Sequence, residues 1–258
     1  MNLTMKCQPR LLAVSLILGL SASLPVFAAD YEGVVGWADL IRMSVPVSGL
    51  VKSVEVRPGQ IVEQGATLLQ LDSVPFNARV SEAVARRDGL VRQEAEARLD
   101  AERVQELYNR TVASDSELQQ ALIVSERAES ALRQAQSKVT QSIWERDNAK
   151  LKAPFPARVL AVNVAAGEVV VTALQAPVLI ELARAGQFMA LVDIDAADVL
   201  SLALDQAVSV SVAGRQYDGR IDAITALRDV EPVRYRVSVR FEADERVVAG
   251  IPATVSLP

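Results

Sequence analysis

The sequence predicts a mainly β protein with an α-helical coiled-coil hairpin set into it. A small β-sandwich is split in two, the hairpin lies between its halves, and a small antiparallel β-barrel follows. Three observations carry this reading. A β-patterned stretch at residues 45–72 recurs in part 108 positions later. Between the two copies lie long stretches nearly free of proline and glycine that bear heptad rows. After Leu182, short alternating segments follow one another at the spacing of a barrel.

At the N-terminus, Lys6 and Arg10 precede an apolar run from Leu11 to Val26, and small residues follow at Ala28 and Ala29. This is the pattern of a secretory signal peptide over residues 1–28. The alternative is an uncleaved anchor, but the run of about 16 apolar residues falls short of the roughly 20 needed to cross a bilayer. Cleavage would remove Cys7, the only cysteine, leaving a thiol-free chain that suits an oxidising compartment. Cys7 precedes the apolar run, where it cannot serve as a lipoprotein acceptor. Residues 29–43 are expected to form a short N-terminal segment.

The first half of the sandwich is placed at residues 44–74, around "VPVSGLVKSVEVRPGQIVEQGATLLQLD", and the second at 151–182, around "APFPARVLAVNVAAGEVVV". At an offset of 108, Pro46 meets Pro154, Val51 meets Val159, Val54 meets Val162, Val56 meets Val164 and Gly59 meets Gly167. Alternation at Val54/Val56 and Val162/Val164 is strand patterning, and the paired glycines permit the same tight turn. The two halves are expected to be two matching sheets of one domain.

The insertion at 75–150 has the composition of helix: Ala, Glu, Arg, Gln and Leu dominate. Phe76, Ala83, Leu90, Ala97 and Val104 recur every seven residues. On the return, Leu118, Ser125, Leu132 and Val139 do the same, with a second row at Ala121, Ala128, Ala135, Ser142 and Ala149. Such rows on consecutive helices predict an antiparallel coiled-coil hairpin, roughly 50 Å long at 1.5 Å per residue. The Ala/Ser row allows close approach of the arms.

Residues 183–258 are assigned to the barrel. "QFMALVDI" reads as a strand and "DAADVLSLAL" as a short helix capped by Asp195. Val208, Val210 and Val212 alternate inward, as do Val233, Tyr235, Val237, Val239 and Phe241. Arg234, Arg236 and Arg240 fall on the opposite face, open to solvent or to a partner.

Composition excludes several functions. There is no histidine in the chain, and Met43 and Met189 are the only methionines beyond the signal segment. Imidazole- or thiolate-based metal sites and His-based catalysis are therefore excluded. The mature chain, with 25 basic against 32 acidic residues, lacks the basic footprint of nucleic-acid binding. No catalytic, cofactor-binding or metal residues are assigned. A covalent biotin or lipoate carrier is disfavoured, since no lysine lies between Lys52 and Lys138. A carboxylate enzyme would have only the cluster Asp193, Asp195 and Asp198.

A split lipoyl-like β-sandwich with an inserted hairpin, followed by a barrel and preceded by a signal peptide, resembles the periplasmic adaptor (membrane fusion protein, HlyD-like) family. The resemblance covers residues 44–258. It is carried by Pro46, Gly49, Val51, Gly59, Val62, Gly65, Leu68 and Asp72, and by Ala153, Pro154, Phe155 and Val159. It departs at Pro156–Ala157, where the family usually shows Asp-Gly. The resemblance implies a non-enzymatic periplasmic adaptor that forms a ring of like subunits. It would link an inner-membrane RND-type pump, or alternatively an ABC-type exporter or type I secretion system, to a TolC-class outer-membrane channel. It also implies that Arg103, Leu107 and Ser114 at the hairpin tip dock on the channel. Each has a plainer reading as solvated flank, core end and helix cap. The family's membrane-proximal domain is expected to be absent or vestigial.

Overall fold

The computed structural model describes residues 29–257, apart from Leu174, residues 228–232 and Glu245. The segment read as a signal peptide lies outside the described residues. The chain opens with strand β1 (Ala29–Trp37) and continues through β2 (Ile41–Met43), β3 (Gly49–Val54), β4 (Ile61–Val62) and β5 (Thr67–Leu71). Helices α1 (Val74–Asn109) and α2 (Asp115–Asp147) follow. The chain then returns through β6 (Lys150–Lys152), β7 (Ala157–Val162), β8 (Val169–Val170) and β9 (Ile180–Arg184).

The internal repeat is realised in three dimensions with its offset intact: β3 at 49–54 corresponds to β7 at 157–162, and β4 at 61–62 to β8 at 169–170. The hydrogen bonds are reciprocal. Gly59 N–H donates to Val159 O and Gly167 N–H to Val51 O, each at 2.8 Å. Val159 N–H donates to Gln60 O and Val51 N–H to Glu168 O, again at 2.8 Å. Gly59 and Gly167 take left-handed φ values of 87° and 92°, which only glycine adopts at no steric cost.

The expectation of one sheet per half needs correction. The sheets run β2-β9-β7-β4 and β6-β5-β3-β8, so each half contributes strands to both. In particular, β4 pairs with β7 across the repeat, and β8 pairs with β3. The physical reason is edge satisfaction: a two-residue strand covers an edge that its own half would leave open. Leu68, Leu69, Leu71, Ile180 and Leu182 are fully buried between the sheets, each contributing roughly 1.5–3 kcal/mol by removal from water.

The two helices, 36 and 33 residues long, form a rod of about 50 Å. Ala83, Ala97, Leu118, Ala128, Ala135, Val139 and Ser142 of the heptad rows are buried. Leu90, Val104, Ser125 and Leu132 are only half-buried, because two helices alone leave the flanks of their seam open. Phe76 opens the first heptad row, yet its ring lies in the sandwich core.

After β9 come β10 (Gln187–Asp195), helix α3 (Ala196–Val199), β11 (Ala207–Val212), β12 (Arg215–Ala226), β13 (Arg234–Glu242) and β14 (Pro252–Leu257). The barrel closes in the order β1-β10-β13-β12-β11-β14. It therefore does not consist of residues 183–258 alone. Strand β1 fills the gap between β10 and β14 and removes two exposed edges, while β2 joins the sandwich through β9. The supposed N-terminal segment 29–43 is thus divided between both domains. The valines of β11 and Val237, Val239 and Phe241 of β13 face the core as expected. Val233 precedes β13 and is exposed.

Candidate functional site: the hairpin tip

The caps of the two arms decide what the tip exposes. Helix α1 ends in a Schellman turn: Val112 N–H donates to Leu107 O and Thr111 N–H to Tyr108 O, both at 2.9 Å. Thr111 supplies the left-handed residue this closure requires, at φ 60°, although a β-branched residue is an uncommon occupant of that region. Helix α2 begins with a capping box. The Ser114 hydroxyl accepts from Glu117 N–H at 3.3 Å, and the Glu117 carboxylate accepts from Ser114 N–H at 2.7 Å and from its hydroxyl at 2.8 Å. The Ser114 backbone bond, helped by the hydroxyl, holds the Glu117 carboxyl below its ordinary pKa.

Ser114 is therefore the cap of the second arm. Ser114→Ala is expected to cost the hairpin about 1 kcal/mol, measured as a lower midpoint in thermal melts followed by helical circular dichroism. An unchanged midpoint would mean that the Schellman turn alone fixes the tip. Leu107 does not close the core; it uses its carbonyl for the turn, and its side chain is 37% exposed, whereas Leu118 is buried. Arg103 is 68% exposed and pairs with Asp100 at 2.6 Å. Both line a groove of about 540 Å³ between the arms, with Val104, Glu117 and Gln120. Leu107 and Ser114 lie beyond that groove, at the end of the rod. Two apolar tip residues escaped the sequence reading: Tyr108, partly exposed, and Val112, at 71%. Apolar side chains in the short link between a fading heptad row and a Ser cap were the available signal.

The second candidate surface, the arginine row of β13, is occupied from within. Arg236 donates two bonds to Asp193, at 2.8 and 3.0 Å, directly across the β10–β13 ladder. Arg234 pairs with Asp195 at 3.4 Å. Arg240 pairs with Asp222 and with Asp39, both at 3.0 Å. The guanidinium of Arg236 keeps the Asp193 carboxyl below the usual carboxylate range. Asp195 stands at the N-cap position of α3 but makes no capping bond with its side chain; the cap expected there is replaced by the Arg234 pair. Asp193 and Asp195 are thus each paired with an arginine of β13. Among the described residues no group of three His, Cys, Asp or Glu side chains could hold a metal, and no helix is long and apolar enough to cross a membrane.

No protein-family model matches the chain. It is 27% identical over 142 residues to the multidrug resistance protein MdtA of Pectobacterium atrosepticum, a match covering 54% of this chain and 34% of that protein. The MdtA of Pectobacterium carotovorum matches to the same degree over 141 residues. The matched stretch thus spans about a third of these relatives. Among solved structures, the fold is similar to a MacA–MexA chimera carrying the Pseudomonas aeruginosa MexA α-hairpin (TM-score 0.63, 18% identity, 89% of this chain, 82% of that one). It is also similar to the membrane fusion protein Spr0693 of Streptococcus pneumoniae (TM-score 0.62, 15% identity, 90% and 99%), and to MacA of Actinobacillus actinomycetemcomitans (0.60, 18%, 89% and 78%). In fold and in sequence, the chain resembles the membrane fusion and efflux adaptor proteins.

Proposed function

We propose that this chain is the non-catalytic periplasmic adaptor of a tripartite efflux system, joining an inner-membrane RND-type pump to a TolC-class outer-membrane channel. The observation that carries the reading is the hairpin: a rod of about 50 Å, based in a split sandwich and ending in a doubly capped tip. Where a carrier domain would present a lysine, the chain places this rod. The similarity to multidrug resistance proteins supports efflux as the process served. Several copies packing side by side would form a conduit, and Arg103, Leu107 and Ser114 would meet the channel. The role is steric and mechanical: sealing the conduit and passing motion between pump and channel.

Site-specific crosslinking in cells tests this. Single cysteines are placed at Arg103, Leu107 and Ser114, with exposed Lys138 on the arm as control. Capture of an outer-membrane channel from the tip positions but not from Lys138 is expected. Oligomers without any captured channel would overturn tip docking and leave the hairpin as a self-assembly element.

A further inference from the structure

The chain crosses between barrel and sandwich twice, and the two crossings run side by side. Outward, β1 leads through residues 38–40 into β2; on return, β9 leads through Ala185 and Gly186 into β10. Trp37 pairs with Phe188 on the barrel side and Ile41 with Leu182 on the sandwich side, while Arg184 N–H donates to Ala38 O at 3.2 Å. The joint is therefore a two-stranded ribbon. Each strand bends at a left-handed residue, Asp39 at φ 48° and Gly186 at φ 74°. Aspartate tolerates that conformation better than most residues.

The Asp39 side chain is the meeting point of the joint. One carboxylate oxygen accepts from Arg184 Nε at 2.5 Å and the other from Arg240 Nη1 at 3.0 Å. Arg184 ends the last sandwich strand, and its guanidinium lies over the Phe155 ring at 4.2 Å. Arg240 belongs to barrel strand β13 and is itself held by Asp222, which a register shift between Ile221 and Ala223 leaves out of the β12–β13 ladder. One carboxylate thus ties the bend to an arginine of each domain, and each arginine is braced from its own side. These three side chains are only about a third exposed, so water screens the pairs less than at an open surface.

We propose that Asp39 is the pin of this joint: bridging Arg184 and Arg240, it holds barrel and sandwich at one fixed angle, so that a displacement of one domain is delivered to the other instead of being lost in the ribbon. Charge-paired on both oxygens, it is a standing brace and not a ligand site. The proposal concerns the joint itself and stands whatever the hairpin docks on.

Spin-label distance measurements on the full chain test it. With Cys7→Ser, labels are placed at Lys52→Cys in the sandwich and Gln216→Cys in the barrel, both exposed. With Asp39 in place, a single narrow distance distribution is expected. Asp39→Asn keeps a residue that accepts the left-handed backbone and removes the charge; it is expected to widen the distribution at least two-fold with little change in melting temperature. Arg240→Ala leaves the ribbon untouched and is expected to widen it as well, which keeps the test valid if position 39 tolerates no change. Wild-type widths in both folded variants would overturn the proposal and assign the angle to the ribbon backbone alone.

Discussion

Gly33→Ala is expected to open the barrel along the seam between β1 and β10, with the loss of about 3 kcal/mol of stability, the upper end of what overpacking costs. A methyl group at position 33 would lie 2.1 Å from Leu191 O and 2.6 Å from Val192 Cγ1. The first of these is a backbone atom of the neighbouring strand, so no rotamer change relieves the clash; one strand must move. Because β1 is the strand that closes the ring, displacing it exposes the edges of β10 and β14. Gly36→Ala is the matched control. Its methyl would meet Leu191 Cδ1 at 3.3 Å, the end of a flexible side chain, and a loss under about 1 kcal/mol is expected. Denaturant titration of the two variants measures the difference. Equal losses would show that close approach at Gly33 does not govern the closure.

The second large effect is expected at the base of the hairpin. Phe76→Ala should cost about 3–5 kcal/mol. Its ring sits on the first turn of α1, is buried in the sandwich core and packs over Gly49, where an added methyl would come within 3.6 Å of it. Truncation leaves a cavity between the helix and the sheet, walled partly by backbone that cannot collapse inward. The consequence is local as well as global. Without the ring, α1 keeps its covalent link to β5 but loses its socket, so amide exchange in the first turns of α1 is expected to speed up far more than at Ala128 or Ala135. A loss below about 1 kcal/mol, with unchanged exchange, would show that the hairpin is anchored by its connections and not by this side chain.

Much of the architecture was legible because the patterns were long. Seven-residue rows over two arms specify a hairpin, and two copies of one β-stretch at a fixed offset specify a repeated domain. What escaped was short or distant. Strands β4 and β8 have two residues each, too few to show a period, so their exchange between the sheets left no trace in the sequence. Strand β1 reads "ADYEGVVGW", whose two glycines interrupt the apolar alternation that marks a strand. In fact Gly33 marks the close approach to β10, and the other neighbour of β1, strand β14, lies at the far end of the chain. At the candidate site, the cap at Ser114 follows from its four-residue signature. The exposure of Tyr108 and Val112 depends on a Schellman turn around a threonine, which composition does not announce. The arginine row was visible on one face of β13, but its partners at Asp39 and Asp222 come from other elements and, in the case of Asp222, from a register shift.

The exchanged edge strands also set an order of assembly. Neither half of the sandwich can complete a sheet by itself, and the halves are separated by the whole hairpin between Leu71 and Lys150. Closing that many residues as a flexible loop would cost about 4 kcal/mol of chain entropy. Antiparallel helices pair through contacts close in sequence near the tip and zip toward the base, a fast, local process. On that order the hairpin is expected to form first and to bring Gln70 and Lys150, partners in the finished sheet, together. Pulsed amide exchange that protects β5 and β6 before the helices would overturn it. The rod that reaches outward in the finished protein would then be, during folding, the clamp that delivers one half of the sandwich to the other.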